Sequence, residues 1–308
     1  SLNMQGLGGM AILFLIDGER MAGETLDNVD FQRISTDNIE RIEIVKGAAS
    51  ALYGSNSVGA VINIITKKAT EPWSLNLNTL FGSQHNEQRH GGSFGLRSGK
   101  WNSLTNVQTD GTHSYTLSGK EAGNQMSVYG TRQWNFKEKL TYQFNDHTSL
   151  TGRAGYYFHE RNSSETANDR ARDFSGGLRF LTQFGGRNQL DVSYSFDRYD
   201  KSDYYKEIRK DFIDYKNTQN SLRAIYTHHL LDHLALTVGG DAMMDYLMTY
   251  QFTDGGHRRQ YTADAFAQAD WTLTDHWNIV AGARADYFSK TGWKMTPKLA
   301  AMYHTGNL

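Results

Sequence analysis

The sequence predicts an all-β transmembrane antiparallel barrel wall over residues 71–308, preceded by a small α+β segment over residues 1–70. Three observations carry this reading. From Trp73 onward, apolar residues fall on alternate positions, one strand after another. Tight Gly/Asp/Asn turns alternate with longer polar connections. The 308 residues include 17 Tyr, 15 Phe and 30 Gly but only 2 Pro, a composition suited to long antiparallel strands. The longest uninterrupted apolar run, residues 10–16, is seven residues, against the ~20 that a spanning helix needs. If this chain crosses a membrane, it does so with strands.

Ser1-Leu2-Asn3-Met4-Gln5 shows no basic region followed by an apolar core, so we expect the chain to begin inside a longer protein. A strand at 11–16 closes on the turn Asp17-Gly18, and 19–30 is polar and Gly-containing, a loop. Asp37-Asn38-Ile39-Glu40 has capping-box spacing for one helical turn. The strand at 41–45 alternates Ile42 and Ile44 with Arg41 and Glu43. Residues 48–52 can make a helical turn, and the strand at 61–65 is apolar on both faces except for Asn63, as a covered central strand would be.

In the second segment, Trp73, Leu75, Leu77 and Phe81 oppose Ser74, Asn76 and Asn78. Tyr156 and Phe158 oppose Arg153 and His159, and Phe174, Leu178, Phe180 and Phe184 oppose Ser175, Arg179 and Gln183. Tyr261 to Leu273 and Trp277 to Tyr287 repeat the pattern, with Asp264, Gln268, Asp270, Asn278 and Arg284 on the polar side. About twelve strands result, near 73–82, 87–97, 101–109, 130–144, 149–161, 172–184, 188–200, 216–229, 234–250, 259–273, 277–288 and 294–303. A soluble sandwich would satisfy the same periodicity. The connections favour the barrel: tight turns at 98–100, 145–147, 185–187, 231–233, 274–276 and 305–307 face longer polar loops near 110–127, 162–171, 201–215 and 251–259, with a shorter one near 289–293. Short turns on one rim and longer loops on the other are the pattern of outer-membrane barrels.

The net charge of −1 gives no global pull toward nucleic acid, and the absence of cysteine excludes disulfides and thiolate metal sites. His147, His233 and His276 each follow Asp in a tight turn and read as turn residues before metal ligands, and no histidine has a distinguishing partner spacing. The run at 197–214 carries Asp197, Asp200, Asp203, Asp211 and Asp214, which could hold calcium. Interleaved Lys201, Lys206, Arg209 and Lys210 favour a solvated mixed-charge loop, and Tyr199, Tyr204 and Tyr205 could instead grip a ligand. Gly47-Ala48-Ala49-Ser50 lacks the ending of a phosphate-binding loop, and no catalytic constellation stands out, so neither an enzyme nor a cofactor is read here.

The stretch 38–68, NIERIEIVKGAASALYGSNSVGAVINIITKK, with LIDG at 15–18, closely resembles the plug domain of TonB-dependent outer-membrane receptors, and the chain after Lys68 resembles the first part of their barrel. MTPKLAAMYHTGNL at 295–308 resembles the family's mid-barrel hairpin. The resemblance implies the C-terminal part of a plug at 1–70 and about 12 of 22 barrel strands at 71–308, a barrel size whose lumen is plugged. It implies a receptor in the bacterial outer membrane for active uptake of a scarce large ligand, an iron-siderophore, haem or cobalamin. Its partners would be the TonB energy-transducing complex, outer-membrane lipid, the extracellular ligand and a possible surface lipoprotein. A passive porin-like channel or an adhesion barrel is the alternative, weakened by an N-terminal segment that porins lack. On this reading the loop residues Gly23, Glu24, Thr25 and Asn28 form the ligand floor. Arg33, Arg41 and Glu43 face the wall, where Arg153, Arg179, Asp191, Asp264 and Arg284 offer partners.

Overall fold

A computed structural model of the protein describes residues 12–22, 31–34, 36–46, 60–83, 86–118, 125–253 and 256–303. The turns expected at 48–52 and 305–307 lie outside these residues. The N-terminal segment forms a four-stranded sheet in the order β2-β1-β4-β3, from β1 (Ile12–Ile16), β2 (Glu19–Arg20), β3 (Ile39–Lys46) and β4 (Ala60–Thr66). β1 and β2 meet through a two-residue turn with both central residues at positive φ, Asp17 at 51° and Gly18 at 87°. Such a turn matches strand twist and suits an Asp-Gly pair. β4 runs parallel to β1 and antiparallel to β3. Apolar side chains cover both of its faces: Phe14, Met21 and Ile62 pack on one side, Leu13, Leu15 and Val61 on the other. The polar exception, Asn63, is satisfied because its side-chain oxygen accepts the Gly18 N–H at 2.9 Å. Single 3₁₀ turns at Phe31–Arg33 and Thr36–Asn38 lead into β3, which begins at Ile39, so Ile39 and Glu40 of the expected helical turn are strand.

The second segment is one twelve-stranded antiparallel sheet. Its strands are β5 (Trp73–Gly82), β6 (Glu87–Ser98), β7 (Trp101–Thr112), β10 (Thr131–Asn145), β11 (Thr148–Asn162), β12 (Ala167–Phe184), β13 (Asn188–Tyr205), β14 (Lys210–Leu231), β15 (Leu234–Thr249), β16 (His257–Thr272), β17 (Trp277–Phe288) and β18 (Gly292–Tyr303). Each strand pairs with its sequence neighbours, except that β10 pairs with β7 across a separate hairpin of β8 (Tyr115–Ser118) and β9 (Gln125–Val128). β5 and β18 are the two edges.

The alternation sorts residues as the sequence predicts. Trp73, Leu77, Phe174, Leu178 and Leu299 on the outer face are more than half exposed, up to 78% for Leu299. A large apolar area left in the open calls for lipid rather than water. Trp277 and Tyr287 are ten residues apart on β17, or ~33 Å along the strand; a tilt of ~40° reduces this to the ~25 Å height of a membrane band. Aromatic pairs mark both limits: Trp277 lies 4.9 Å from Tyr303, and Tyr287 lies 5.3 Å from Trp293. A carboxylate, Glu138, interrupts the apolar band of the outer face. Glu138 pairs with Thr105 and Ala154 and accepts hydrogen bonds from Ser103 and Thr105 at 2.7 and 2.5 Å.

Three connections differ from the sequence reading. The stretch 162–171 is mostly strand, leaving only residues 163–166 as a turn, and 201–215 is the end of β13, a turn at 206–209 and the start of β14. Within 110–127 lies the β8–β9 hairpin. The physical reason is that these strands run past the apolar band, where polar residues stand on both faces. Asp169, Arg170, Arg172, Asp200 and Ser202 occupy both parities there and erase the alternation. Likewise, the expected loop at 19–30 begins as β2.

Candidate functional site

The N-terminal sheet docks on the polar face of the wall, chiefly on β10 to β13, through two ionic hubs. The first is Asp17 in the β1–β2 turn. The turn geometry aims its carboxylate at β4 and the wall together. One oxygen accepts the Thr66 N–H at 2.9 Å; the other accepts the Thr66 hydroxyl at 2.6 Å and the Lys139 ammonium at 3.2 Å. Arg153 stands 3.3 Å from the same carboxylate, donates to the Ile16 carbonyl at 3.1 Å and pairs with Glu19. Burial alone would raise the Asp17 carboxyl. Lys139, Arg153 and the Thr66 hydrogen bonds outweigh it and hold the group below the usual carboxylate range. Glu19 fits because Gly177 has no side chain: a Cβ there would lie 2.7 and 2.8 Å from its two carboxylate oxygens.

The second hub is Arg33, 1% exposed. Its guanidinium donates to Asp173 at 2.8 Å and to the Ala22 carbonyl at 2.6 Å, and it lies 3.7 Å from Asp197. Asp197 in turn accepts the Ala22 N–H at 2.8 Å, and Asn135 donates to the Arg33 carbonyl at 2.8 Å. The guanidinium also stacks over Tyr199, 4.9 Å from the ring centre. Three wall strands, β10, β12 and β13, are thereby joined to one residue of the N-terminal segment. Further along, Asn106 donates to Asn38 and Asn78 donates to Asp37, at 3.1 and 2.7 Å, extending the contact to β7 and β5.

Arg41 and Glu43 are placed differently. Arg41 donates to Glu43 and Glu40, each at 2.8 Å, within the N-terminal segment. Of the wall residues singled out with them, Arg153 meets the N-terminal segment at Asp17 and Glu19, whereas the others pair chiefly within the wall. Arg179 pairs with Asp191 at 2.6 Å, while Arg284 is bracketed by Asp264 at 2.5 Å and Asp286 at 2.9 Å, with Arg223 3.5 Å from nearby Asp241. Arg20 of β2 interacts electrostatically with Asp241 and Asp264. Gly23, Glu24, Thr25 and Asn28 lie outside the described residues. Sequence reasoning missed Asp17, Glu19, Asp173 and Asp197 as contacts; a carboxylate closing an apolar strand was the only local signal.

Space is unevenly distributed around this interface. Between the hubs a small cavity of about 100 Å³ remains. On the tight-turn side a cleft of about 1030 Å³ separates β3 and β4 from the wall, lined by Arg41, Glu43, Lys100, Arg179 and Asp191 among others. On the opposite side of Arg33, Tyr157, Tyr199 and Tyr215 form a buried aromatic cluster with Ala171. Lys201 lies over two of its rings, 5.8 and 5.5 Å from their centres. Among the described residues no group of His, Asp and Glu has the arrangement of a metal site.

Comparison with known proteins follows the same division. A family model described as TonB-dependent Receptor Plug Domain matches residues 1–61, and one described as TonB dependent receptor-like, beta-barrel matches residues 70–308. The iron-regulated outer membrane virulence protein of Vibrio cholerae is 24% identical across 98% of this chain and 48% of its own length. The vitamin B12 transporter BtuB of Vibrio cholerae is 26% identical across 98% of this chain and 50% of its own. Among solved structures, the siderophore receptor PirA from Pseudomonas aeruginosa superposes with a TM-score of 0.79 at 18% identity, covering 99% of this chain and 53% of that one. The ferric enterobactin receptor PfeA from the same organism gives 0.77 at 16%, covering 95% and 52%. The chain spans about half the length of the curated relatives it matches. It belongs to the TonB-dependent receptors, with the second matched region forming the wall and the first the plug docked upon it.

Proposed function

We propose that the whole protein is an outer-membrane receptor for energy-coupled uptake of a large, scarce ligand, a ferric siderophore, haem or cobalamin. The observation that carries this reading is the plug itself. A domain tied across β10 to β13 by buried ion pairs stands against the polar side of the wall, which supports an obstructed lumen rather than an open pore. The contacts are ionic and hydrogen-bonded rather than a continuous apolar seam. They can break and reform in water more readily than a fused core, and the 1030 Å³ cleft gives the plug somewhere to move. The energy would come from the TonB complex of the inner membrane.

The ligand floor belongs on the long-connection side. Ala22 is held by Asp197, beyond Asp17 toward that rim, and the buried tyrosine cluster lies farther in the same direction. Residues 23–28 depart from this point, which supports Gly23, Glu24, Thr25 and Asn28 as ligand contacts. A titration panel of ferric siderophores, haem and cobalamin on the full-length receptor identifies the ligand. Replacing residues 23–28 by a Gly-Ser linker is expected to weaken its binding about tenfold, ~1.4 kcal/mol. Unchanged affinity would remove these residues from the site, and no binding by any of the three classes would overturn the receptor reading.

A further inference from the structure

Above the aromatic limit of the apolar band, on the outer face, three arginines gather around one ring. Arg132, Arg170 and Arg172 come from β10 and β12, and their guanidinium carbons lie 6.0, 5.8 and 5.5 Å from the centre of Phe158 on β11. Register places them on the lipid-facing parity: Trp134 pairs with Phe158, which pairs with Arg172, and two positions farther Arg132 pairs with Glu160, which pairs with Arg170. The same faces carry Tyr156 and Phe174 just below. Farther round, Arg198 on β13 faces Phe174, and Lys216 on β14 faces Asp200.

The group is built, not scattered. Glu160 receives Arg170 at 2.6 Å and Arg132 at 3.1 Å, while Asp211 receives Arg172 at 3.0 Å and Arg170 at 3.3 Å. These carboxylates hold the arginines side by side without cancelling them. Arg132, Arg170, Arg172, Arg198 and Lys216 are five cations against the three carboxylates Glu160, Asp200 and Asp211, which leaves two positive charges. Cations that lie directly beyond an aromatic belt, facing outward, stand at the depth of lipid headgroups. Several guanidinium groups gathered within reach of one point suit a tetrahedral dianion, which offers several oxygens to forked donors.

We propose that this outer-face cluster binds the phosphate of an outer-leaflet lipid headgroup, with Phe158 and Phe174 against the attached acyl chains. The proposal rests on the outer-membrane reading above. The plug faces the other side of the sheet, so the cluster is separate from the ligand path.

The test uses the full-length receptor in phosphatidylcholine bilayers containing a minor fraction of a phosphorylated glycolipid, or of the same glycolipid dephosphorylated. Lipid retained after mild detergent extraction is quantified by mass spectrometry. The wild type should enrich the phosphorylated lipid about tenfold over phosphatidylcholine, a margin that a few juxtamembrane cations supply. The R132Q/R170Q/R172Q variant should lose that enrichment, and E160Q/D211N, which removes the neutralising carboxylates, should raise it. Equal enrichment of the dephosphorylated lipid, full displacement by inorganic phosphate, or enrichment unchanged in both variants would overturn the proposal. Titration of ferric siderophores, haem and cobalamin on the same samples separates the two readings. Intact ligand binding without lipid preference refutes only the lipid site, whereas failure of the wild type to insert or to bind ligand refutes the receptor.

Discussion

Replacing Arg33 by Met removes the guanidinium from the tighter hub and leaves its shape roughly filled. Arg33 and Asp173 have side chains only 1% and 3% exposed, at 2.8 Å. Removing one member of a buried pair typically costs ~3–5 kcal/mol, because the remaining charge is left desolvated. Lys137, 4.0 Å from Asp173, still offers it partial compensation, which places the expected loss near the lower end, about 3 kcal/mol. That is roughly a hundredfold in the equilibrium between docked and released plug. This chain has no cysteine, so a Glu40→Cys label on the exposed strand β3 reports plug release in urea without interference from the rest of it. Arg41→Met serves as the control, since Arg41 forms its ion pairs within the exposed group of Glu40 and Glu43. Adding Asp173→Asn to Arg33→Met should recover part of the loss. An Arg33→Met midpoint indistinguishable from that of Arg41→Met would refute the hub.

Three further outcomes are expected from the same geometry. Gly177→Val should weaken plug docking by ~1–3 kcal/mol, because its Cβ would strike the Glu19 carboxylate, whereas Gly152→Ala, whose nearest neighbour stands at 3.6 Å, should be near neutral in the same urea assay. Asp17 is held below its usual pKa, so its contribution is present above the ordinary carboxylate range and is lost only as pH falls through the lowered folded value; plug release measured against pH should retain this acid-sensitive step in the wild type and lose it in Asp17→Asn. Leu178→Arg, on the outer face, should cost ~2–4 kcal/mol of membrane stability near the bilayer midplane, while Thr141→Arg, which borders the wet cleft, should cost far less in the same reversible folding titration.

The wall was legible in the sequence wherever one face meets lipid and the other water. Trp277 to Tyr287 alternates so regularly that its expected and observed strands coincide. Legibility stopped where that asymmetry stops. β12 to β14 continue beyond the band with Asp169, Arg170, Asp200 and Asp203 on both faces, and polar residues on both parities look like loop. The plug contacts were legible only from one side. Arg33 stood out as a charge in a segment bound for a polar interior, but Asp173 and Asp197 lie 140 and 164 positions away, and nothing local in β12 or β13 marks them. Asp17 read as a turn residue, which it is; its second role depends on strands that arrive more than a hundred residues later. Arg41 and Glu43 are charged like Arg33 and stand in the same segment, yet β3 is the edge of the plug sheet and keeps them in water.

On the function proposed above, the plug makes transport depend on energy while leaving ligand binding independent of it. Cells expressing the full-length receptor should be given the radiolabelled ligand identified by the binding panel, with the inner membrane energised or collapsed by an uncoupler. Surface binding should persist in both conditions, and accumulation across the outer membrane should cease when energy is withdrawn. Accumulation at the same rate in uncoupled cells would mean an open passage beside the plug, and would contradict that function.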